Sequence, residues 1–176
     1  FYMIILGLGS NLNSTFGDRF RNIETAISYL DNYKVKTVKK SSFYETPSYP
    51  DDKNPKFINS VIQVETDLNP TDLASVVIFI EELLERKRSK KNAPRTCDID
   101  IIDYDNKILN FKYNNLDFSV PHRELVYRSF VLMPLQEILP KWTHPETGDS
   151  IDDLVNRLSE EQKKSILKIK KSWYIK

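Results

Sequence analysis

The residues best suited to chemistry crowd into one stretch, Arg86 to Asp103. It opens with Arg86, Lys87, Arg88, Lys90, Lys91 and Arg95, uninterrupted by any acid, then turns abruptly into Asp98-Ile99-Asp100-Ile101-Ile102. Side chains alternate faces along a β-strand, so Asp98 and Asp100 project together while Ile99 and Ile101 turn into the core. Two carboxylates held side by side repel each other unless a cation sits between them. Mg²⁺ takes oxygen ligands of this kind, usually one or two carboxylates completed by substrate phosphates. Cations that grip phosphate, next to acids that hold a metal, make a site for a polyphosphate. A basic run after a helix is most often a solvated loop, and a D-x-D by itself is common. Their adjacency, with Pro94 fixing the turn between them, is what carries weight.

The elements that must position these groups follow in order. Met3 to Leu8 reads as a buried strand ended by Gly9-Ser10-Asn11, a turn able to approach a ligand. Neither a dinucleotide-binding glycine motif nor a P-loop lysine is present. Asp18 to Leu30 carries Phe20, Ile23, Ala26, Ile27 and Leu30 at helical spacing. Val35 to Tyr44 and Phe57 to Val64 read as strands. The Thr46–Pro55 connection between them, with Pro47, Pro50 and Pro55, is too long for a hairpin turn and reads as a functional loop. Asn69-Pro70 starts a helix that runs to Leu84, on which Glu81, Glu85 and Arg88 form a surface ion-pair ladder. After the aspartate strand, Asp105-Asn106 signals a hairpin and Lys107 to Val120 a small β excursion. Phe130 to Leu139 is an apolar helix, Ser150 caps another, and Ile166 to Ile175 is a lysine-protected edge strand.

The order strand, helix, strand, strand, helix, strand over residues 3–104 predicts an α+β, ferredoxin-like fold. Its antiparallel-dominated central sheet has flanking helices set on one face, with Asp98 and Asp100 on an inner strand. At 176 residues the chain suits one domain, 1–176, better than two. A net charge of +1 supplies no global field for nucleic acid or a membrane surface. Cys97 is the only cysteine, which excludes an intramolecular disulfide and fits a reducing, cytoplasmic setting. With only His122 and His144 beside it, a zinc site is not expected. No apolar run reaches the ~20 residues of a membrane span, and no signal-peptide pattern stands at the start.

Several motifs occur together in one order: Gly9-Ser10-Asn11, Ser42-Phe43-Tyr44-Glu45-Thr46-Pro47, Phe57-Ile58-Asn59, Pro94-Arg95-Thr96-x-Asp98-Ile99-Asp100-Ile101, Val120-Pro121-His122, and Arg128-x-Phe130-Val131-Leu132-x-Pro134-Leu135. From Ile4 to Leu139 this pattern resembles the 6-hydroxymethyl-7,8-dihydropterin pyrophosphokinases of folate biosynthesis. The resemblance implies a ferredoxin-like enzyme that uses ATP as co-substrate with two Mg²⁺ ions. It moves an intact pyrophosphoryl group to the pterin hydroxymethyl and releases AMP. It further implies catalytic roles for Arg86, Arg95, Asp98 and Asp100, with the two aspartates holding the metals. Thr46, Pro47 and Asn59 meet the pterin edge, and Phe57 and Phe130 stack on its faces. Glu81, Arg86, Arg88, Ile101, His122 and Arg128 line the ATP side. Partners are then small molecules, not nucleic acid or membrane, with fusion to or association with another folate enzyme left open.

The chain departs from the family pattern at three places. Lys91-Asn92-Ala93 stands where Arg-Trp-Gly is common, Phe57 replaces a Tyr, and Arg123 follows His122 where some members have Tyr. The loops Ser89–Ala93 and Thr46–Pro55 lack apolar anchors and are expected to be mobile until substrates arrive. Two other classes compete. A two-metal nucleotidyltransferase also pairs Gly-Ser with D-x-D, but at closer spacing. A ferredoxin-like RNA-binding module would show aromatics on its central strands rather than acids.

Overall fold

The structure, a computed structural model, describes residues 1–87 and 93–174. Arg88 and the loop expectations at 89–92 therefore lie outside the described residues. Strand β1 (Tyr2–Ser10) leads to α1 (Arg19–Asn32), β2 (Lys36–Lys40), β3 (Phe43–Thr46), β4 (Phe57–Thr66), α2 (Pro70–Leu83) and β5 (Asp98–Tyr104). A hairpin of β6 (Leu109–Tyr113) and β7 (Leu116–Val120) follows, then α3 (Ser129–Ile138), α4 (Ile151–Asn156), α5 (Glu160–Ser165) and β8 (Leu167–Ile169).

Local chemistry sets the helix starts. The Asp18 carboxylate accepts from Arg21 N–H at 2.9 Å, Asn69 accepts from Asp72 N–H at 2.9 Å, and Ser150 accepts from Asp153 N–H at 3.1 Å. Each satisfies an N–H that the first turn leaves without a helical partner.

The main sheet runs β5-β1-β4-β3-β8, with β2 also paired to β4, and every pairing is antiparallel. This is the expected ferredoxin-like order with its second strand divided. The single strand expected over Val35–Tyr44 is divided at Ser41-Ser42, where the register against β4 shifts between Lys40↔Ile62 and Tyr44↔Asn59, and within β2 it also slips between Thr37 and Lys39. The slip leaves Val38 44% exposed, as a bulge residue that opposes no partner.

Two further expectations are corrected. Helices cover both faces of the sheet. One layer packs Ile23, Leu30, Leu73, Val77 and Ile80 on Ile4, Leu6, Ile58 and Ile62; the other packs Leu132, Leu135 and Leu154 on Ile5, Val61 and Ile102. Alternate strand positions are apolar on both sides, so neither face can be left to water. The aspartate strand β5 is also an edge strand, not an inner one. The β6–β7 hairpin pairs with itself, so β5 hydrogen-bonds to β1 alone within the sheet, and its acids keep an open flank. The C-terminal strand shortens to β8, after which Trp173 lies against Phe43 at 4.0 Å between ring centroids. Among the described residues, no helix is long and apolar enough to cross a membrane.

Candidate active site

Register brings the site together. Asn59 of β4 pairs with Gly9 of β1, and Gly9 pairs with Asp98 of β5. One step along, Val61, Gly7 and Asp100 form the parallel row. All six lie on the face covered by α3, and between Asn59 and Asp98 the strand offers no side chain. The result is a trough two interstrand spacings wide, about 10 Å. A Cβ at Gly9 would crowd the trough, meeting Asn59 Oδ1 at 3.2 Å and touching Phe57 Cδ1 at 3.5 Å.

On the β5 side, Asp98 is clamped between two arginines. Its Oδ1 accepts from Arg86 Nη1 at 2.9 Å and its Oδ2 from Arg95 Nη1 at 2.9 Å. Asp100 Oδ2 accepts from Arg128 Nη1 at 3.4 Å. Burial, reinforced by the Asp98 charge and only partly offset by Arg128, pushes the Asp100 carboxyl up to about 7.

His122 Nε2 stands 4.0 Å from Asp100 Oδ1, but burial and the neighbouring Arg128 push the ring's pKa down to about 4. The ring is neutral at pH 7. Its Nδ1 accepts from Glu124 N–H at 3.2 Å, which puts the proton on Nε2, facing the carboxylate. A cleft of about 290 Å³ opens beside these groups, bordered by Ile99, Asp100, Ile101, Phe118, His122 and Arg123.

On the opposite side of the trough, Asn59 Nδ2 donates to Thr46 Oγ1 at 2.9 Å and to Tyr44 O at 3.4 Å. Phe57 flanks Asn59 and is half-buried, as is Phe130 at the start of α3. The Arg128 guanidinium lies 5.5 Å from the Phe130 ring centroid, so one arginine touches both the acid and the aromatic. Pro47 is exposed at the loop entrance. Ile101 is 4% exposed and belongs mainly to the core, where it also borders the cleft.

Of the expected Glu81–Glu85–Arg88 surface ladder, Arg88 lies outside the described residues, and Glu81 and Glu85 do not share a solvated helix face. Helix α2 ends at Leu83, and Glu85 has φ +67° and accepts from Thr15 N–H at 3.0 Å. Glu81 is 3% exposed; its carboxylate pairs with Arg86 and accepts from Ile99 N–H at 2.9 Å. It thus ties the helix to the aspartate strand.

Sequence reasoning missed what Asn11 does. Its Oδ1 accepts from Arg95 N–H at 2.7 Å, while its Nδ2 donates to Ser48 Oγ and to Pro55 O, both at 3.1 Å. Ser48 Oγ also donates to Pro55 O at 2.7 Å, so the 47–56 loop has a polar anchor where no apolar one exists. The only local signal was an asparagine, able to donate and accept, directly after a buried strand.

Comparison with known proteins identifies the chain. Residues 5–140 match the family described as 7,8-dihydro-6-hydroxymethylpterin-pyrophosphokinase (HPPK). A pyrophosphokinase from Synechocystis, named for 2-amino-4-hydroxy-6-hydroxymethyldihydropteridine, is 31% identical over 88% of this chain and 75% of that protein. The folic acid synthesis protein fol1 of Pneumocystis carinii is 35% identical over 93% of this chain, which spans 21% of that protein. In shape, a crystal structure of a Plasmodium falciparum HPPK-DHPS variant matches with a TM-score of 0.77 at 18% identity, covering 96% of this chain and 47% of that one. With its acid pair ringed by arginines across a glycine trough from an amide and two aromatic rings, the chain belongs to the 7,8-dihydro-6-hydroxymethylpterin-pyrophosphokinase family.

Proposed function

We propose that this chain transfers pyrophosphate from ATP to the hydroxymethyl group of the dihydropterin, with Asp98 and Asp100 holding two Mg²⁺ ions. The observation that carries this reading is the Asn59–Gly9–Asp98 row, which sets a polar edge and an acid pair at a heterocycle's breadth with nothing between them. The donor set suits Mg²⁺. Among the described residues no cluster of three or more His, Cys, Asp or Glu forms a complete cage, and two hard carboxylates leave room for substrate phosphates. Burial first, and the Asp98 charge second, raise the Asp100 carboxyl, and a cation shared by the two acids would offset both effects. When bound, the metal supplies charge neutralisation on the phosphates and activates the attacking hydroxyl.

The chain's own residues do the rest. Asn59 and Thr46 present donors and acceptors to the pterin edge, while Phe57 and Phe130 take its faces. Arg86, Arg95 and Arg128 already face the acids and can turn their remaining N–H donors to phosphate oxygens. Glu81 holds Arg86, and neutral His122 offers Nε2–H without adding charge. Displacement at the β-phosphorus requires alignment and charge balance rather than a covalent intermediate. The Plasmodium relative is named for HPPK joined to DHPS, and a like association is proposed for this chain.

Incubation with ATP, Mg²⁺ and the hydroxymethyl dihydropterin, followed by product analysis, tests the reading. AMP and a pterin diphosphate are expected. Pyrophosphate release would favour nucleotidyl transfer instead, and absence of turnover would remove the enzymatic reading.

A further inference from the structure

The row through Asn59 and Asp98 does not stop at Asn59. Tyr44 of β3 is the cross-strand partner of Asn59, and Lys168 of β8 is the partner of Tyr44. At that far end the row meets Glu137 of α3. Glu137 Oε1 accepts from the Tyr44 hydroxyl at 2.6 Å and lies 3.7 Å from Lys168 Nζ. Its Oε2 accepts from Ser42 N–H at 2.9 Å and from the Ser42 hydroxyl at 3.1 Å. The acid is thus saturated with donors from β8, from β3 and from the residue preceding β3.

Glu137 follows Phe130 by seven residues, two turns of helix, so the two share a helix face about 10 Å apart along the axis. Helix α3 also meets the sheet through Val131, Leu132, Leu135 and Ile138 against Ile5, Val61 and Ile102, with longer polar ties from Lys39 Nζ to Ile138 O at 3.5 Å and from Arg128 Nη1 to Asp100 Oδ2 at 3.4 Å. Such apolar contact opposes separation but has no preferred direction, and it resists sliding weakly. Hydrogen bonds need both distance and angle, so the Glu137 cluster can set the helix's position along the strands.

We propose that Glu137 is a positioning residue for the pterin subsite. It locks α3 in register with β3 and thereby sets the gap between Phe130, on the helix, and the Phe57–Asn59–Thr46 wall, on the sheet. Tyr44 is the intermediary: its hydroxyl meets Glu137 while its carbonyl receives the Asn59 amide. This rests on the pyrophosphokinase reading above. Arg86, Arg95 and Asp98 lie at the other end of the row, and of the ATP-side groups only Arg128, the residue that precedes α3 and reaches Asp100, moves with the helix, so the effect falls mainly on the pterin.

The test is steady-state kinetics of the wild type, Glu137→Ala, Glu137→Gln and Tyr44→Phe, with calorimetry of pterin binding in the presence of α,β-methylene-ATP. Loss of charge-assisted hydrogen bonds is expected to raise the pterin KM and Kd about tenfold or more in Glu137→Ala, with the ATP KM within about twofold. Glu137→Gln keeps one acceptor oxygen and is expected to recover part of the loss. Tyr44→Phe removes a single bond and should fall between the wild type and Glu137→Ala, and it decides the matter if the alanine variant does not fold. Equal losses for both substrates that track a fall in Tm, or unchanged pterin binding in Tyr44→Phe and Glu137→Gln, would overturn the positioning role while leaving the enzymatic reading intact. A wild type that makes no AMP would remove the enzymatic reading, and this inference with it.

Discussion

Asn11 offers the sharpest perturbation because one buried amide serves two loops. Asn11→Ala deletes the bonds to Arg95 N–H, Ser48 Oγ and Pro55 O, while the backbone bond from Asn11 N–H to Arg95 O, at 3.1 Å, survives. Pro55 O keeps its bond from Ser48, but Arg95 N–H loses its acceptor at a part-buried position. At about 1 kcal/mol for each lost bond, with the stranded donor at the upper end, the sum is about 3 kcal/mol. Spent locally, that is on the order of a hundredfold in the loop-opening equilibrium. Spent globally, it would lower Tm by about 6–12 °C for a chain of this size. The isosteric Asn11→Asp separates the two loops. Its carboxylate still accepts from Arg95 N–H, but it cannot donate to Pro55 O and repels it. Hydrogen exchange by mass spectrometry, run beside thermal unfolding, reads both. Asn11→Ala should lose protection in residues 47–56 and around 93–96, and Asn11→Asp in 47–56 alone, each with a Tm change smaller than the global figure. If both variants lose protection uniformly, or neither does, the two-loop role is refuted.

Asp98→Ala and Asp100→Ala should each abolish turnover and weaken Mg²⁺-dependent ATP binding while the fold persists, since neither deletion removes apolar packing; near-normal activity in either would sink the metal assignment. Phe130→Ala should weaken pterin binding by about 1–3 kcal/mol, by analogy with base–aromatic stacking, and leave ATP binding alone nearly unchanged in calorimetry. Gly9→Ala places a methyl 3.2 Å from Asn59 Oδ1, so the pterin KM should rise with little change in Tm; an unchanged KM would show that Asn59 can yield without cost. Glu137 has a pH signature. Burial pushes its carboxyl up, but hydrogen bonds from Tyr44 and Ser42, with the nearby Lys168 charge, outweigh this and leave the pKa below its ordinary 4.5. Its contribution to stability is therefore present above pH 4.5 and fades as pH falls through the depressed folded value. The stability gap between wild type and Glu137→Gln should close in acid, and a gap independent of pH would argue against an ionised brace.

Much of this protein is legible one element at a time. Alternation along Asp98-Ile99-Asp100-Ile101 determined which groups face outward, and those two carboxylates do share a face. Asp18, Asn69 and Ser150 announced their helices because a cap acts within three residues. What the chain order could not decide is anything that depends on partners distant in sequence. Whether β5 sits inside the sheet or at its edge turns on where the β6–β7 hairpin goes, and no local pattern encodes that. The empty interval at Gly9 acquires meaning only when β4 and β5 pair on either side of β1. Asn11 and Arg95 are 84 residues apart, and Glu137 and Tyr44 are 93 apart. Glu81 read as a solvated helix residue until α2 was packed on β5 and its carboxylate closed over Arg86 and Ile99. A polar side chain looks the same in sequence whether water or a buried donor satisfies it, because only the packed chain decides which of the two is within 3 Å.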